Sequence, residues 1–480
     1  MSKRTGAAVA IIATAALFLS ACSSGGGTPA QSAPQTPAPS AADTAARATG
    51  SATALAADGW ATPQVLAVTP VAGSFHPVDP KFDALPGARA VYGTEDHAAG
   101  GQEAYQIEIP AAWNGEVVFF AHGFRGNAAE LTVSAPPIRE YLIANGYAWA
   151  ATSYTENGYT PGTGARDTKD LRENFARLAG VAEPKRGYIY GQSMGGNVVT
   201  VSLALYPSLY DGAIAECGAL TGQGIVDYFL SWGALAGYFS GTDITSASTD
   251  AGTFINTLRG KVVPALGSKP ENLTQKGKAF ESAVRYLTGG PRPYFREGFA
   301  ANYLFNYLIL ANAVAVPGAA NAVAQNADTL YGIDDGYGVT PEQLNRDVSR
   351  VRSNQAYLVE DPPGRLGPYA EFGAIDGRIE RPLITLHGTG DLFVPITMEQ
   401  QYRRAVDAAG SGDLLVQRAV RRAGHCMFSD QERQQAFTDL VAWVGQGRKP
   451  AGEDLLGDLS DAGRAFTQPM EADDPGGLAP

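Results

Sequence analysis

The sequence has few metal-binding residues and little positive charge. It contains five histidines and three cysteines among 480 residues, and they do not have the spacing of common zinc sites. Lysine and arginine number 36 against 48 aspartates and glutamates, which gives a net charge of −12 and argues against a nucleic-acid-binding surface. No glycine-rich phosphate loop with its lysine is present. We therefore expect no metal, no cofactor and no nucleic-acid partner, and any chemistry must come from side chains.

The sequence also lacks an N-terminal apolar run of the roughly 20 residues that a membrane-spanning helix needs. The run from Ala7 to Leu19 is shorter and follows Lys3 and Arg4, which is typical of a bacterial export signal. Its end, Leu19-Ser20-Ala21-Cys22, resembles the lipobox of bacterial lipoproteins. The resemblance implies a signal peptide over 1–21 and a lipid on Cys22 that anchors the protein to the outer face of the cell membrane. An ordinary secretory signal would instead release it outside the cell.

The two ends of the chain lack the large apolar residues needed for a core. Residues 22–57 are rich in Ala, Pro, Ser and Thr, a composition that predicts a disordered tether. Residues 449–480 carry seven acidic residues among Gly and Pro and predict a loosely attached acidic tail. The nearly 400 residues between them suffice for one large domain with an insertion.

Short β-type runs, each followed by a helical pattern, recur through this central region. Such alternation predicts an α/β fold with a mainly parallel sheet covered on both faces. The eight predicted strands are Ala88–Glu95, Ala104–Ile109, Val117–Ala121, Ala148–Ser153, Gly187–Tyr190, Gly212–Glu216, Pro382–His387 and Leu414–Val420. The predicted helices are Ile138–Asn145, Asp167–Leu178, Ser193–Leu205, Met398–Ala409 and Asp430–Val444.

The interval between the sixth and seventh strands is far longer than one crossover helix requires. Residues 217–381 are rich in helix formers and aromatic side chains, which predicts a mostly helical cap inserted into the domain. The core of the domain would then consist of residues 58–216 and 382–448.

A glycine-flanked serine follows the fifth predicted strand and opens a helix. In Gly191-Gln192-Ser193-Met194-Gly195 the pattern Gly-x-Ser-x-Gly is that of a nucleophile elbow. A serine on so sharp a turn has a strained backbone, and a Cβ two residues before or after it would collide across the turn. Ser193 is therefore the predicted nucleophile.

This pattern resembles the α/β-hydrolase superfamily, whose triad runs Ser, then Asp or Glu, then His along the chain. Leu386-His387-Gly388-Thr389-Gly390-Asp391 resembles the family segment after the seventh strand, which implies Asp391 as the acid. Gly424-His425-Cys426 follows the last strand and implies His425 as the base. Glu216, at the end of the sixth strand, is the alternative acid, and His387 is expected to be structural.

The same resemblance implies two backbone donors for a negatively charged oxygen. One is the N–H of Met194, which follows the nucleophile. The other is the N–H of Phe124 in His122-Gly123-Phe124-Arg125-Gly126, directly after the third strand.

Two cysteines remain once Cys22 is assigned to lipid. Tannase and feruloyl-esterase relatives are similar in bracing the histidine loop through a cysteine after the histidine, as Cys426 stands here. The chain departs from them at Gln192, where those enzymes have the partner cysteine. Cys217 and Cys426 could form a disulfide in an oxidising compartment, or remain two buried thiols.

These residues predict a serine hydrolase acting on carboxylic esters, of small-molecule or polymeric kind, through an acyl-enzyme. Aromatic residues of the cap suggest an apolar pocket over Ser193, although such residues more often form the cap's own core. A serine exopeptidase similar to the prolyl-oligopeptidase or aminopeptidase group is the alternative enzyme. A surface binding protein that has lost catalysis is the alternative outside enzymes.

Overall fold

A computed structural model of the protein describes residues 75–470, except 98–99, 127, 245–250, 305, 308–328 and 350–375. The predicted signal peptide, Cys22 and the tether lie outside the described residues. At the centre is an eight-stranded sheet that contains all eight predicted strands. The strands are β1 Ala88–Asp96, β2 Gln102–Pro110, β3 Glu116–Ala121, β4 Ala148–Thr152, β5 Arg186–Gln192, β6 Gly212–Glu216, β7 Leu383–Gly388 and β8 Leu415–Val420.

The strand order across the sheet is β1-β2-β4-β3-β5-β6-β7-β8. Strand β2 is antiparallel to β1 and to β4, and the pairs from β4 to β8 are all parallel. The prediction of a mainly parallel sheet is confirmed. Because parallel strands end on the same side, the loops after β3, β5, β6, β7 and β8 meet at one edge of the sheet.

Helices cover both faces of the sheet and form the cap. They are α1 Arg139–Ala144, α2 Pro161–Ala179, α3 Met194–Leu205, α4 Gln223–Ser240, α5 Ala251–Thr257, α6 Val263–Leu266, α7 Gln275–Leu287, α8 Phe295–Asn302, α9 Pro341–Asp347, α10 Thr397–Ala408 and α11 Asp430–Gln446. A π-helical turn, Leu258–Val262, joins α5 to α6.

Side chains alternate between the two faces along each strand, which is why the core has two layers. In β3, Val117 and Phe119 pack with α2, α3 and α10, whereas Val118 and Phe120 pack with α1 and α11. Burial on both faces accounts for the continuous apolar run from Val117 to Ala121 in β3.

Helices α4 to α9 form the predicted cap between β6 and β7, and they enclose a core of their own. Aromatic side chains of the cap are buried in it, including Tyr228, Trp232 and Tyr307, together with Leu392 from the loop after β7. These aromatics therefore hold the cap together and fix it to the β7 loop.

The segment after α11 differs from the expectation of a loosely attached tail over residues 449–470. Leu455 and Leu459 are 1% and 3% exposed and pack on Ile396 and Ala419, and the Glu453 carboxylate accepts a hydrogen bond from the Ala419 N–H (3.0 Å). The prediction was based on the acidic residues of this segment, but the leucines between them determine how it packs. In the described part of the chain, no helix combines the length and apolarity needed to cross a bilayer.

Candidate active site

Ser193 lies on a sharp turn between β5 and α3, at the sheet edge where the parallel strands end. Its backbone is in a strained region, with φ 57° and ψ −119°. The flanking glycines are required because a Cβ on Gly191 would lie 2.0 Å from the Gly195 carbonyl oxygen, and a Cβ on Gly195 would lie 2.0 Å from that of Ala121. The turn is thus closely packed against β3 and holds the serine in place.

The structure brings Ser193, His425 and Asp391 together in one hydrogen-bonded array. His425 Nδ1 lies 2.6 Å from Asp391 Oδ2, and His425 Nε2 lies 2.8 Å from Ser193 Oγ. Asp391 is fully buried and Ser193 is 6% exposed. With the ring proton on Nδ1 donated to Asp391, Nε2 is free to accept the proton of the serine hydroxyl.

Asp391 is fixed by the backbone of its own turn. Its Oδ1 accepts hydrogen bonds from the N–H groups of Phe393 (2.9 Å) and Val394 (3.0 Å), which leaves Oδ2 for the histidine. From the cap, the Tyr228 hydroxyl donates to the Leu392 carbonyl (2.6 Å). The cap thereby supports the position of the acid.

His387 supports the same turn from below and is not part of the array, as expected. Its Nε2 lies 2.8 Å from the Val394 carbonyl oxygen and its Nδ1 lies 3.3 Å from Glu399 Oε1. Burial lowers the pKa of His387, but the Glu399 carboxylate outweighs it and the pKa is raised overall.

The two segments predicted to supply backbone donors both lie beside Ser193. Met194 is the first residue of α3, where a backbone N–H has no acceptor within the helix. In the loop after β3, a Cβ on Gly123 would lie 3.1 Å from Ser193 Cβ, and the Phe124 side chain packs on the cluster that contains Met194.

His122, which precedes this loop, is a buried support. Its ring stacks on Tyr154 with centroids 3.9 Å apart. Burial, together with the charge of Arg125, lowers the pKa of His122 well below its ordinary value, so the ring is neutral. Arg125 itself is held by hydrogen bonds to Thr132 and Ser134.

Cys217 and Cys426 form a disulfide, with Cα atoms 5.2 Å apart. The alternative of two free thiols is therefore excluded by the structure. Cys217 follows β6 and Cys426 follows His425, so the bridge ties the end of one strand to the histidine loop.

The carboxylate of Glu216, the alternative acid, pairs with Arg433, whereas the histidine ring pairs with Asp391. The Glu216 carboxylate accepts two hydrogen bonds from Arg433 and one from Gln192 Nε2 (2.8 Å). Arg433 was not among the predicted site residues. Nothing in the sequence signals it, because an arginine in an amphipathic helix ordinarily faces water.

Two groups of side chains in the described part of the chain have ligand atoms within metal-binding reach of one another. One consists of Cys217, His425 and Cys426, whose two sulfurs are already joined to each other. The other consists of His97, Glu103 and Asp167, where the His97 ring pairs with both carboxylates and with Asp170.

No protein-family model matches the chain. Among solved structures, the chain is similar to feruloyl esterase B from Aspergillus oryzae, with 13% identity, 75% of this chain and 81% of that chain covered, and a TM-score of 0.45. An esterase from Aspergillus oryzae gives 14% identity, 77% and 88% coverage, and a TM-score of 0.43. Pyrococcus horikoshii acylaminoacyl peptidase gives 13% identity, 77% and 44% coverage, and a TM-score of 0.37.

The fold is identified by the architecture of the chain itself. The strand order, the sharp turn after β5 and the sequence order Ser193, Asp391, His425 all agree with one fold. The chain therefore has the α/β-hydrolase fold.

Proposed function

We propose that this protein is a serine hydrolase that cleaves carboxylic esters through an acyl-enzyme on Ser193. The observation that carries the proposal is the continuous array from Asp391 Oδ2 through His425 to Ser193 Oγ, with contacts of 2.6 and 2.8 Å. A serine hydroxyl is a weak nucleophile until a neutral imidazole accepts its proton, and this array supplies that base with its orienting carboxylate.

In the proposed reaction, His425 Nε2 takes the proton of Ser193 as Oγ attacks the ester carbonyl carbon. The negative oxygen of the tetrahedral intermediate accepts hydrogen bonds from the N–H groups of Met194 and Phe124. His425 then returns the proton to the departing alkoxide, and the alcohol leaves an acyl group on Ser193. Water, deprotonated by the same histidine, attacks the acyl-enzyme and releases the carboxylic acid with the serine regenerated.

A fluorophosphonate probe tests the nucleophile directly. We expect the protein to label covalently and Ser193→Ala to remain unlabelled. Ser202→Ala is the matched control, since Ser202 is a buried serine on the same helix, α3, and it should label normally. A folded wild-type protein that never labels contradicts the hydrolase proposal and favours a binding protein.

A substrate panel tests the ester specificity. It compares p-nitrophenyl esters of rising chain length, aryl esters and aminoacyl nitroanilides. We expect turnover of esters; turnover of the nitroanilides alone would make the exopeptidase the correct interpretation.

We also propose that the protein is exported and anchored to the membrane by a lipid on Cys22. The lipobox-like end of the signal segment supports this, as does the Cys217–Cys426 disulfide, because such bonds persist in oxidising compartments. Mass spectrometry of the N-terminal peptide should find a diacylglyceryl modification on Cys22 that is absent in Cys22→Ala. An unmodified, uncleaved N-terminus would refute the anchor.

A further inference from the structure

A buried carboxylate stands at the end of β6, beside the proposed nucleophile. Glu216 is 0% exposed, and its oxygens accept hydrogen bonds from the Tyr190 hydroxyl, from Gln192 Nε2 (2.8 Å), and from Arg433 Nε (3.0 Å) and Nη2 (2.9 Å). The carboxylate therefore has donors on both sides, one set from β5 and one from α11.

The guanidinium of Arg433 extends this contact to the histidine loop. Arg433 is 2% exposed; its Nη1 donates to the Phe428 carbonyl (2.6 Å) and its Nη2 donates to the Cys426 carbonyl (3.0 Å). The planar group thus holds Glu216 on one side and two main-chain oxygens on the other, a geometry that lysine cannot reproduce.

The nucleophile is connected to the same residue through the backbone. The Ser193 N–H donates to the Glu216 carbonyl oxygen (3.0 Å), while the preceding residue, Gln192, contacts the carboxylate. Glu216 therefore contacts the segment that carries Ser193 directly, and it contacts the histidine loop through Arg433.

Stability alone does not account for a buried ion pair at this place. Removing two charges from water is costly, and apolar residues of similar volume are often as stabilising. The pair instead supplies fixed donors to a loop that needs support, because Cys426 has a left-handed backbone with φ 55°.

We propose that Glu216 and Arg433 are positioning residues that set the His425 loop at hydrogen-bonding distance from Ser193. The inference rests on the proposed hydrolase function. It predicts that losing the guanidinium displaces His425 while leaving the acid and the nucleophile in place. A displacement of about 1 Å at a reacting group can cost on the order of 100-fold in rate.

The test measures kcat for a p-nitrophenyl ester and the rate constant of fluorophosphonate labelling in Arg433→Met and Arg433→Lys. We expect both rates to fall by at least about tenfold in Arg433→Met, with partial recovery in Arg433→Lys, which keeps the charge. Arg418→Met is the matched control. Arg418 lies on β8, is 3% exposed and pairs with Asp439 (2.6 Å) of α11, the helix that carries Arg433. Its rates should stay within about twofold of wild type.

Two further readouts separate positioning from loss of stability. The double variant Glu216→Gln/Arg433→Met leaves no unpaired buried charge. Its free energy of unfolding should therefore lie closer to that of wild type than that of either single variant, while its rates should stay low. The downfield proton resonance of His425 Nδ1–H, which reports the contact to Asp391, should shift in Arg433→Met and stay unchanged in Arg418→Met.

A double variant that is folded and has wild-type rates overturns the inference, as does an equal loss of rate in Arg418→Met. Wild-type protein that neither labels nor hydrolyses any ester instead overturns the proposed function itself.

Discussion

Cys217, the residue after Glu216, forms a disulfide with Cys426, the residue after His425, across a sequence separation of 209 residues. Both cysteines have positive φ, 47° and 55°, so the bridge holds two strained backbone positions beside the triad. The histidine loop is therefore held both by the disulfide and by the hydrogen bonds from Arg433.

The first prediction concerns this bridge. In Cys217→Ala/Cys426→Ala the histidine loop can relax from its left-handed conformation, so kcat for an ester should fall. The free energy of unfolding should decrease by about 2–5 kcal/mol, the usual effect of losing a native disulfide. Denaturant unfolding and ester hydrolysis measure the two effects. An enzyme with unchanged kcat after removal of the bridge would show that the loop needs no such support.

The second prediction separates the orienting role of Asp391 from its structural role. In Asp391→Asn the Oδ1 atom still accepts the N–H groups of Phe393 and Val394, so the turn should persist, but the amide cannot stabilise the imidazolium of His425. We expect kcat to fall on the order of 10⁴-fold with the fold retained. Asp211→Asn is the control, since Asp211 caps the Gly187 N–H (2.8 Å) at the opposite edge of the sheet. A loss of less than tenfold would point to another acid.

The catalytic chemistry was predictable from local sequence motifs, whereas the contacts between distant parts of the chain were not. The elbow at Ser193 was predictable because its glycines, strand and helix are contiguous in sequence, and the eight strands because short β-type runs recur between helical patterns. Helix α2 begins at Pro161 rather than Asp167. The glycines after Pro161 disfavour a helix on their own, but close packing against α3 overrides that propensity.

The partner of Glu216 could not be predicted in the same way. Arg433 is 217 residues further along the chain, and its neighbours in sequence have the composition of an ordinary helix surface. Only the fold places Arg433 against a buried carboxylate. Likewise, only the fold brings Cys217 and Cys426 together and so decides between free thiols and a disulfide.

The third prediction tests the steric requirement at the elbow. Gly195→Ala places a Cβ 2.0 Å from the Ala121 carbonyl oxygen, and backbone atoms on both sides cannot move apart without breaking the contact between β3 and α3. We expect loss of fluorophosphonate labelling together with a marked loss of stability. Gly260→Ala is the control because a Cβ there meets nothing within 4 Å, and it should be neutral or stabilising by about 0.5–1 kcal/mol. Normal labelling of Gly195→Ala would contradict the described packing.

The fourth prediction concerns the ion-pair group at His97. Its Nε2 lies 3.0 Å from Glu103 and its Nδ1 lies 3.1 Å from Asp170. Burial lowers the pKa of His97, but hydrogen bonds to Asp170 and Glu103 and the charge of Asp167 raise it overall to about 10. Since the folded pKa lies above the unfolded one, the stabilisation is fully present below about pH 6.5 and is lost as the pH rises through about 10.

In His97→Gln the free energy of unfolding should therefore fall by about 3 kcal/mol near pH 6, and the difference from wild type should shrink toward pH 10. Denaturant unfolding across this range measures it, with His76→Gln at an exposed histidine as the control. A difference that stays constant from pH 6 to pH 10 would mean that the His97 charge contributes nothing.

The last prediction concerns the segment after α11, where two adjacent leucines differ in burial. Leu455 is 1% exposed and packs on Ile396 and Ala419, whereas Leu456 is 37% exposed. Leu455→Ala removes buried apolar atoms and leaves a cavity, so it should lower the free energy of unfolding by about 2–5 kcal/mol. Leu456→Ala should change it by less than about 0.5 kcal/mol. Because the residues are neighbours, equal effects in the two variants would mean that this segment does not pack on the domain in solution.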